Sequence, residues 1–195
     1  YRLGISENSI ERWNSLNTML KREQKQSKTD SRVNQTNVSA RWNSDVEKAN
    51  AALREANMIP VVELYSPPRV DTVARMWKLI PGMSLDLTTV DPEDGLPWDF
   101  SVRAKRDKAE YMVSEGRFML LIGSPMCSAF SQLQTLNKWT TPEVVRNRRL
   151  SEARRHLEFC CKLYRMQMEQ GLYFLHEHPK RALSWREPSI SALMR

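Results

Sequence analysis

The sequence is short of the features that mark a secreted or membrane protein. It holds three cysteines, Cys127, Cys160 and Cys161, which do not make a disulfide framework. Reduced thiols inside the cell, in nucleus or cytoplasm, are the expectation. No apolar run approaches the roughly 20 residues of a membrane span, so no membrane association is expected. The first residues, Tyr1-Arg-Leu-Gly-Ile-Ser-Glu-Asn, contain no apolar stretch of the kind a secretory leader needs. They also lack an initiator Met, which sets the expectation of a processed product or a cut fragment. No internal repeat is visible.

What is present is an ordinary globular composition, 41% hydrophobic and 27% charged, over 195 residues. That is enough for one domain with a good core and an appendage. The net charge of +7 is uneven: residues 138 to 195 hold twelve Lys and Arg against six Asp and Glu. A basic flank beside a near-neutral centre suits a polyanion such as nucleic acid. A solvated helix face is the alternative for the same charges.

Residues 1 to 57 read as an α-helical extension. Ser6 to Lys25 carries Ile10, Trp13, Leu16 and Leu20 near helical spacing. Residues 24 to 39 are polar and read as a flexible linker. Ser39 to Asn57 is a second helix with the stripe Trp42, Val46, Ala49 and Leu53, and Asn57 is its stop signal. The extension packs on the main domain or offers its helices to a protein partner. Asn37-Val-Ser matches a glycosylation sequon, but nothing else points to secretion.

Residues 58 to 195 change rhythm to strand, loop and helix. The strand candidates are Ile59 to Tyr65, Met83 to Thr89, Phe118 to Gly123 and Leu172 to Glu177, with Trp98 to Ser101 a further short one. Helices are expected over Val70 to Leu79, Val102 to Glu115 and Pro142 to Gln170, and another begins at Trp185. Pro142 just inside the start and Gly171 just past the end frame the longest one. This alternation implies an α/β fold: a parallel sheet with helices on both faces.

In a parallel sheet the ends of these strands lie on one edge, where ligands of open α/β sheets bind. Three segments fall there: Glu63-Leu-Tyr-Ser-Pro-Pro-Arg, Gly123-Ser-Pro-Met-Cys-Ser-Ala-Phe-Ser and Phe174-Leu-His-Glu-His-Pro. Cys127, on the loop after the apolar run Phe118 to Ile122, is a candidate nucleophile or a small buried hydrophobe. A cysteine and a carboxylate on neighbouring strand ends suit covalent chemistry on a pyrimidine. The thiolate adds to C6, and Glu177 hydrogen-bonds at N3 and the exocyclic amine. His176, His178 and Cys127 are also compatible with zinc, although the chain has no second Cys or His pair at ligand spacing. Leu157, Cys160, Cys161 and Tyr164 form a helical stripe that packs on the sheet. Trp139 and Trp185 stack on a base or, as the alternative, fill the core.

The set resembles the catalytic half of DNA cytosine-5 methyltransferases over roughly residues 59 to 180. Glu63-Leu64-Tyr65-Ser66 sits where that family binds S-adenosylmethionine, and Ser124-Pro125-Met126-Cys127-Ser128-Ala129-Phe130-Ser131 resembles its catalytic loop, with Met126 inserted. Glu177-His178-Pro179 corresponds to its Glu-Asn-Val motif. The resemblance implies a Rossmann-like methyltransferase sheet, with Cys127 and Glu177 catalytic. It implies S-adenosylmethionine held by Glu63, Tyr65, Ser66, Asp86, Asp99, Ser124 and Pro125. Nucleic acid would be contacted by Ser128, Arg146, Arg149, Arg154 and Arg155. The wording is also similar to methyltransferase-like domains embedded in polyproteins of eukaryotic retroelements. One departure is plain: Ser66, Pro67 and Pro68 stand where the family has glycines, and two prolines remove two N–H donors from that turn. The two functions in view are therefore cytosine C5 methylation, and a non-catalytic module of the same fold that binds nucleic acid or a protein partner.

Overall fold

The computed structural model describes residues 34–132 and 141–194. The expected helix Ser6 to Lys25 and the residue Trp139 lie outside them. Two compact units divide between Asn57 and Met58. No helix among the described residues is long and apolar enough to cross a membrane.

The first unit contributes helix α1, Asn34–Glu55. It begins inside the stretch expected to be a linker. Asn, Gln, Thr and Ser are indifferent helix formers, costing about half a kcal/mol each against Ala, but none of them breaks a helix as Pro does. The expected stripe is only partly right. Val46 is buried, but Trp42 is 47% exposed, and Asn50 rather than Ala49 is buried with Val46. Asn57 ends the helical segment as expected, with a left-handed φ of 51°.

The second unit runs β1 (Ile59–Leu64), α2 (Arg69–Met76), β2 (Met83–Leu85), α3 (Arg103–Ser114), β3 (Phe118–Gly123), α4 (Glu143–Glu169), β4 (Tyr173–His176) and a short α5 (Pro188–Ser191). The four strands form one parallel sheet in the order β2-β1-β3-β4. The fold is thus α/β with a parallel sheet, as the strand–helix alternation implies. Chain order reverses between β1 and β3. With right-handed crossovers, that reversal sends α2 to one face and α3 and α4 to the other. Indeed α3 and α4 are joined by Lys162 Nζ donating to Glu110 at 2.6 Å.

Helix α4 covers the sheet. Ala153, Leu157, Cys160, Cys161 and Tyr164 are buried, so the expected cysteine stripe is core. Burial pushes the Cys161 thiol up to about 11 and Cys160 higher still. Gln167 closes the sheet from above: its amide donates to the carbonyls of Phe118 and Tyr173, at 2.9 and 3.0 Å. The helix ends at Gly171 in the left-handed region, φ 70°.

Several elements are shorter than expected. β2 stops at Leu85 because Asp86 starts a turn, accepting from the N–H and hydroxyl of Thr88 at 2.9 and 2.7 Å. Helix α2 stops at Met76, since Lys78 adopts φ 59°. The expected strand at Trp98 to Ser101 is a turn. Asp99 accepts the Ser101 N–H at 2.8 Å, a local bond that competes with strand pairing. The C-terminal helix is a 3-10 turn, Leu183–Arg186, followed by α5.

Candidate functional site

The strand ends align closely. Leu64 pairs with Leu85 on one side and Gly123 on the other, and Gly123 pairs with His176. The ladder runs one residue further. Tyr65 N donates to Leu85 O at 3.1 Å, Ser124 N to Leu64 O at 3.0 Å, and Glu177 N to Gly123 O at 2.9 Å. Tyr65, Ser124 and Glu177 therefore stand side by side at the carboxyl edge, where the order reverses between β1 and β3. This is the place where open α/β sheets bind ligands.

The Cys127 loop is pinned at both ends. At its start, His178 Nε2 lies 2.7 Å from the carbonyl oxygen of Pro125. A carbonyl only accepts, so Nε2 carries the hydrogen. Burial holds His178 below its ordinary pKa, so the ring is neutral and Nδ1 accepts from the Ser184 hydroxyl at 2.6 Å. At its far end, Phe130 is buried in the core, and its N–H donates to Cys127 O at 3.0 Å, closing the 3-10 turn Ser128–Phe130. Between the pins, Met126 and Ser128 are exposed and Cys127 is half-buried. Cys127 is thus presented at a fixed place rather than packed as a core residue.

Glu177 is half-buried, follows β4 directly, and has no side-chain hydrogen bond among the described residues. It is flanked by His176 and His178, whose rings are 4.5 Å apart. Tyr164 Oη lies 3.0 Å from His176 Nδ1, and burial lowers His176 to about 3, with His178 adding to the shift. His176 and His178 do share a face, as strand alternation requires. The zinc alternative fails on donors, because both nitrogens of His178 are occupied. No group of three or more His, Cys, Asp or Glu suited to a metal occurs among the described residues. Trp185 packs edge-on against His176 at 5.2 Å, and its Nε1 donates to Pro179 O at 2.9 Å, so it is a packing residue.

Beside the loop lies a cleft of about 420 Å³, lined by Met126, Ser128, Ala129, Arg146, Arg149 and Leu150 among others. It gathers three of the five residues expected to contact nucleic acid. Arg154 is held elsewhere: its guanidinium donates twice to the Glu187 carboxylate, at 3.0 and 3.0 Å. Arg155 lines a different cleft, with Arg106 and His156.

Most of the residues expected to hold S-adenosylmethionine are engaged within the chain itself. Glu63 is buried, and its Oε1 accepts the N–H groups of Val70 and Asp71 at 2.9 and 3.3 Å. It therefore caps α2, whose preceding Pro67 and Pro68 offer no donors. Glu63 Oε2 faces the Ser66 hydroxyl at 3.4 Å. Tyr65 has a left-handed φ of 57°, packs on Phe100 at 4.9 Å and bonds His156 Nδ1 at 2.9 Å. Burial raises the Tyr65 phenol far above its usual value. Asp86 is engaged with Thr88, and hydrogen bonds from Ser101 hold Asp99 below the usual carboxylate range. Ser124 N and Pro125 O are engaged as described above. The turn after β1 thus satisfies itself, and these residues do not fit S-adenosylmethionine in the way the resemblance would have them hold it.

No family model, curated protein or solved structure matches the chain.

Three contributors escaped the sequence reading: His178 as the strut under the loop, the Tyr65–His156 bond, and the separation of Arg155 from Arg149. The first lay inside a motif already singled out. The second joins residues 91 apart in the chain and leaves no local signal; the third follows from the helix period, which puts Arg149 and Arg155, six residues apart, on different faces of α4.

Proposed function

We propose that this chain is a nucleic-acid-binding module on a methyltransferase-like, Rossmann-type α/β sheet, in which the Cys127 loop and the first turns of α4 grip the strand. The observation that carries this reading is the cleft beside Cys127, where a fixed, half-exposed loop meets Arg146 and Arg149. Phosphate contacts from arginine supply affinity and make it salt-dependent. Nucleic acid as partner places the protein's work inside the cell, in nucleus or cytoplasm. The test is fluorescence anisotropy with labelled single- and double-stranded oligonucleotides over a salt series. Arg149→Ala is expected to weaken binding and to flatten the salt slope by about 0.7 to 0.9. Binding that ignores Arg149 would sink the reading.

A second reading is cytosine C5 methylation, and one observation favours it. Cys127 and Glu177 follow neighbouring strands, one half-buried on a pinned loop and the other with no side-chain hydrogen bond among the described residues. That reading needs S-adenosylmethionine, which the turn after β1 opposes. Calorimetry with the cofactor at millimolar concentration separates the two. Heat on mixing, together with methyl transfer that Cys127→Ser abolishes, supports the enzyme; no heat supports the module. A protein partner for the N-terminal helices stands as a further proposal, tested by comparing binding partners of the whole chain and of residues 58 to 195.

A further inference from the structure

A second cleft lies between the first turn of α3 and the middle of α4. It encloses about 300 Å³, and its lining includes Phe100, Ser101, Arg106, Arg155, His156 and Lys162. It shares no lining residue with the cleft beside Cys127. Arg149 and Arg155 are six residues apart on α4, which sets them about 120° apart round the helix. The second cleft is therefore a separate place on a separate face, and the nucleic-acid reading makes no use of it.

The donors around this cleft are fixed and unspent. Arg106 Nη1 donates to the carbonyls of Phe100 and Ser101 at 2.6 and 2.8 Å, which locks the guanidinium plane. Its Nε and Nη2 have no partner among the described residues, yet neither is buried away from solvent. These two nitrogens share one edge of the guanidinium, the fork that grips two oxygens of a single anion. Arg155 is exposed and has no hydrogen bond or ion pair among the described residues. His156 is half-buried, and its Nδ1 meets Tyr65 Oη at 2.9 Å, which ties the imidazole to the residue that follows β1. Its Nε2 has no partner and reaches solvent.

The neighbouring acids do not neutralise this set. Asp99 accepts the Ser101 N–H, and Glu110 accepts from Lys162. Glu158 is the one carboxylate in the lining, and it is exposed. Burial holds His156 below its ordinary pKa. The charges of Arg155 and Arg106 push the same way, against Asp99 and Glu152. An anion seated between the arginines would cancel that push.

The donor set selects the anion. A carboxylate has two oxygens, which the Arg106 fork alone would occupy. A phosphomonoester carries a charge of about −2 and three terminal oxygens, enough for both guanidiniums and the imidazole. A volume of about 300 Å³ sits at the small end of ligand pockets. We propose that the Arg106–Arg155–His156 cleft binds a phosphate group, free or as the monoester of a small molecule. The inference is independent of the nucleic-acid reading.

The experiment follows the imidazole signals of the full chain by NMR. The chain has three histidines, and His156→Gln assigns the signal that matters. Inorganic phosphate should move the His156 signal saturably and raise its titration midpoint by about one unit. Chloride at equal ionic strength should do neither. AMP should act as phosphate does, and adenosine should not. AMP tighter than phosphate makes the ligand a small ester; equal affinities make it free phosphate. Arg155→Gln should weaken phosphate roughly tenfold, the scale of a lost charged hydrogen bond. Arg106→Lys keeps the charge but loses the fork, and should weaken it too. Arg117→Gln, a charge removed just before β3, should stay near the parent. Thermal melts check the fold of each variant, and Arg155 has no internal bond to lose. No saturable shift at millimolar phosphate would overturn the site. Equal losses in Arg155→Gln and Arg117→Gln, or an equal shift with chloride, would reduce it to general electrostatics and overturn it as well. Adenosine acting as strongly as AMP would show that the phosphate is not what is recognised.

Discussion

The tightest constraint at residue scale is Gly123. A Cβ built there would lie 1.9 Å from Tyr164 Oη, an impossible contact. The missing side chain therefore makes room for the hydroxyl that reaches His176. Gly123→Ala is expected to cost about 3 kcal/mol, the scale of overpacking a filled core. Chemical denaturation measures it. In the Tyr164→Phe background the same substitution should cost less, since the closest clashing atom is gone. The buried imidazole beside it sets a pH dependence. His176 is held at about 3 by burial, while an unfolded histidine titrates near 6.5. Between those values the unfolded chain takes up a proton that the native one refuses. Stability is then full above about pH 6.5 and declines as pH falls toward 3. Urea midpoints at pH 7, 5.5 and 4.5 should fall in that order, and His176→Phe should flatten the series. A midpoint that rises on acidification would exclude a neutral buried His176.

The loop between β2 and α3 is held at element scale by a buried ion cluster. Lys105 donates to Asp91 at 2.8 Å and to Asp94 at 2.7 Å, and Lys108 reaches Asp91 at 2.7 Å. Both ammoniums lie over the Trp98 ring, at 4.9 and 5.4 Å. Burial alone would raise the Asp91 pKa, but the bonds from Lys105 and Lys108 override it and hold the carboxyl at about 2. Removing Asp91 takes away the buried carboxylate that both ammoniums share, leaving Lys105 only Asp94 and Lys108 only Glu93, two acids at the exposed rim. Asp91→Ala is expected to destabilise by about 2 kcal/mol, the scale of lost charged hydrogen bonds, with hydrogen exchange speeding up across residues 90 to 105. Asp94 is exposed at the rim of the cluster, so Asp94→Ala should cost far less. Equal costs for the two would mean that the cluster is held by the loop rather than the reverse.

For the whole molecule, the question is which positive charges act outward. The chain carries +7, but its arginines are not equivalent. Arg154 and Glu187 tie α4 to the C-terminal segment, 33 residues apart. Arg154→Ala is therefore expected to lower stability by up to about 1 kcal/mol, the scale of a partly exposed pair. It should leave the salt slope of nucleic-acid binding unchanged. Arg149→Ala should do the opposite, and the two measured side by side distinguish a strut from a contact. If Arg154→Ala also flattens the salt slope, the Glu187 pair opens on binding and belongs to the interface.

The sequence by itself determined the elements and their direction. Apolar runs such as Phe118 to Ile122, broken by Gly123 and Pro125, are local signals, and so are Pro142 and Gly171 at the ends of α4. Alternating strands and helices then leave little choice but a parallel sheet, which brings Glu63, Cys127 and Glu177 to one edge. Where local signals were weak the reading slipped. Trp98 to Ser101 has strand-like residues, yet one Asp99 side-chain bond turns the backbone. Only the tertiary structure decided what the edge residues touch. Glu63 caps a helix seven residues on, Tyr65 reaches His156 across 91 residues, and His178 holds Pro125 across 53. Such bonds depend on which side chains the fold happens to bring within about 3 Å, and no spacing rule in the chain encodes them. That is why a carboxylate expected to hold a cofactor is a helix cap, and why one row of arginines divides into two clefts and a strut.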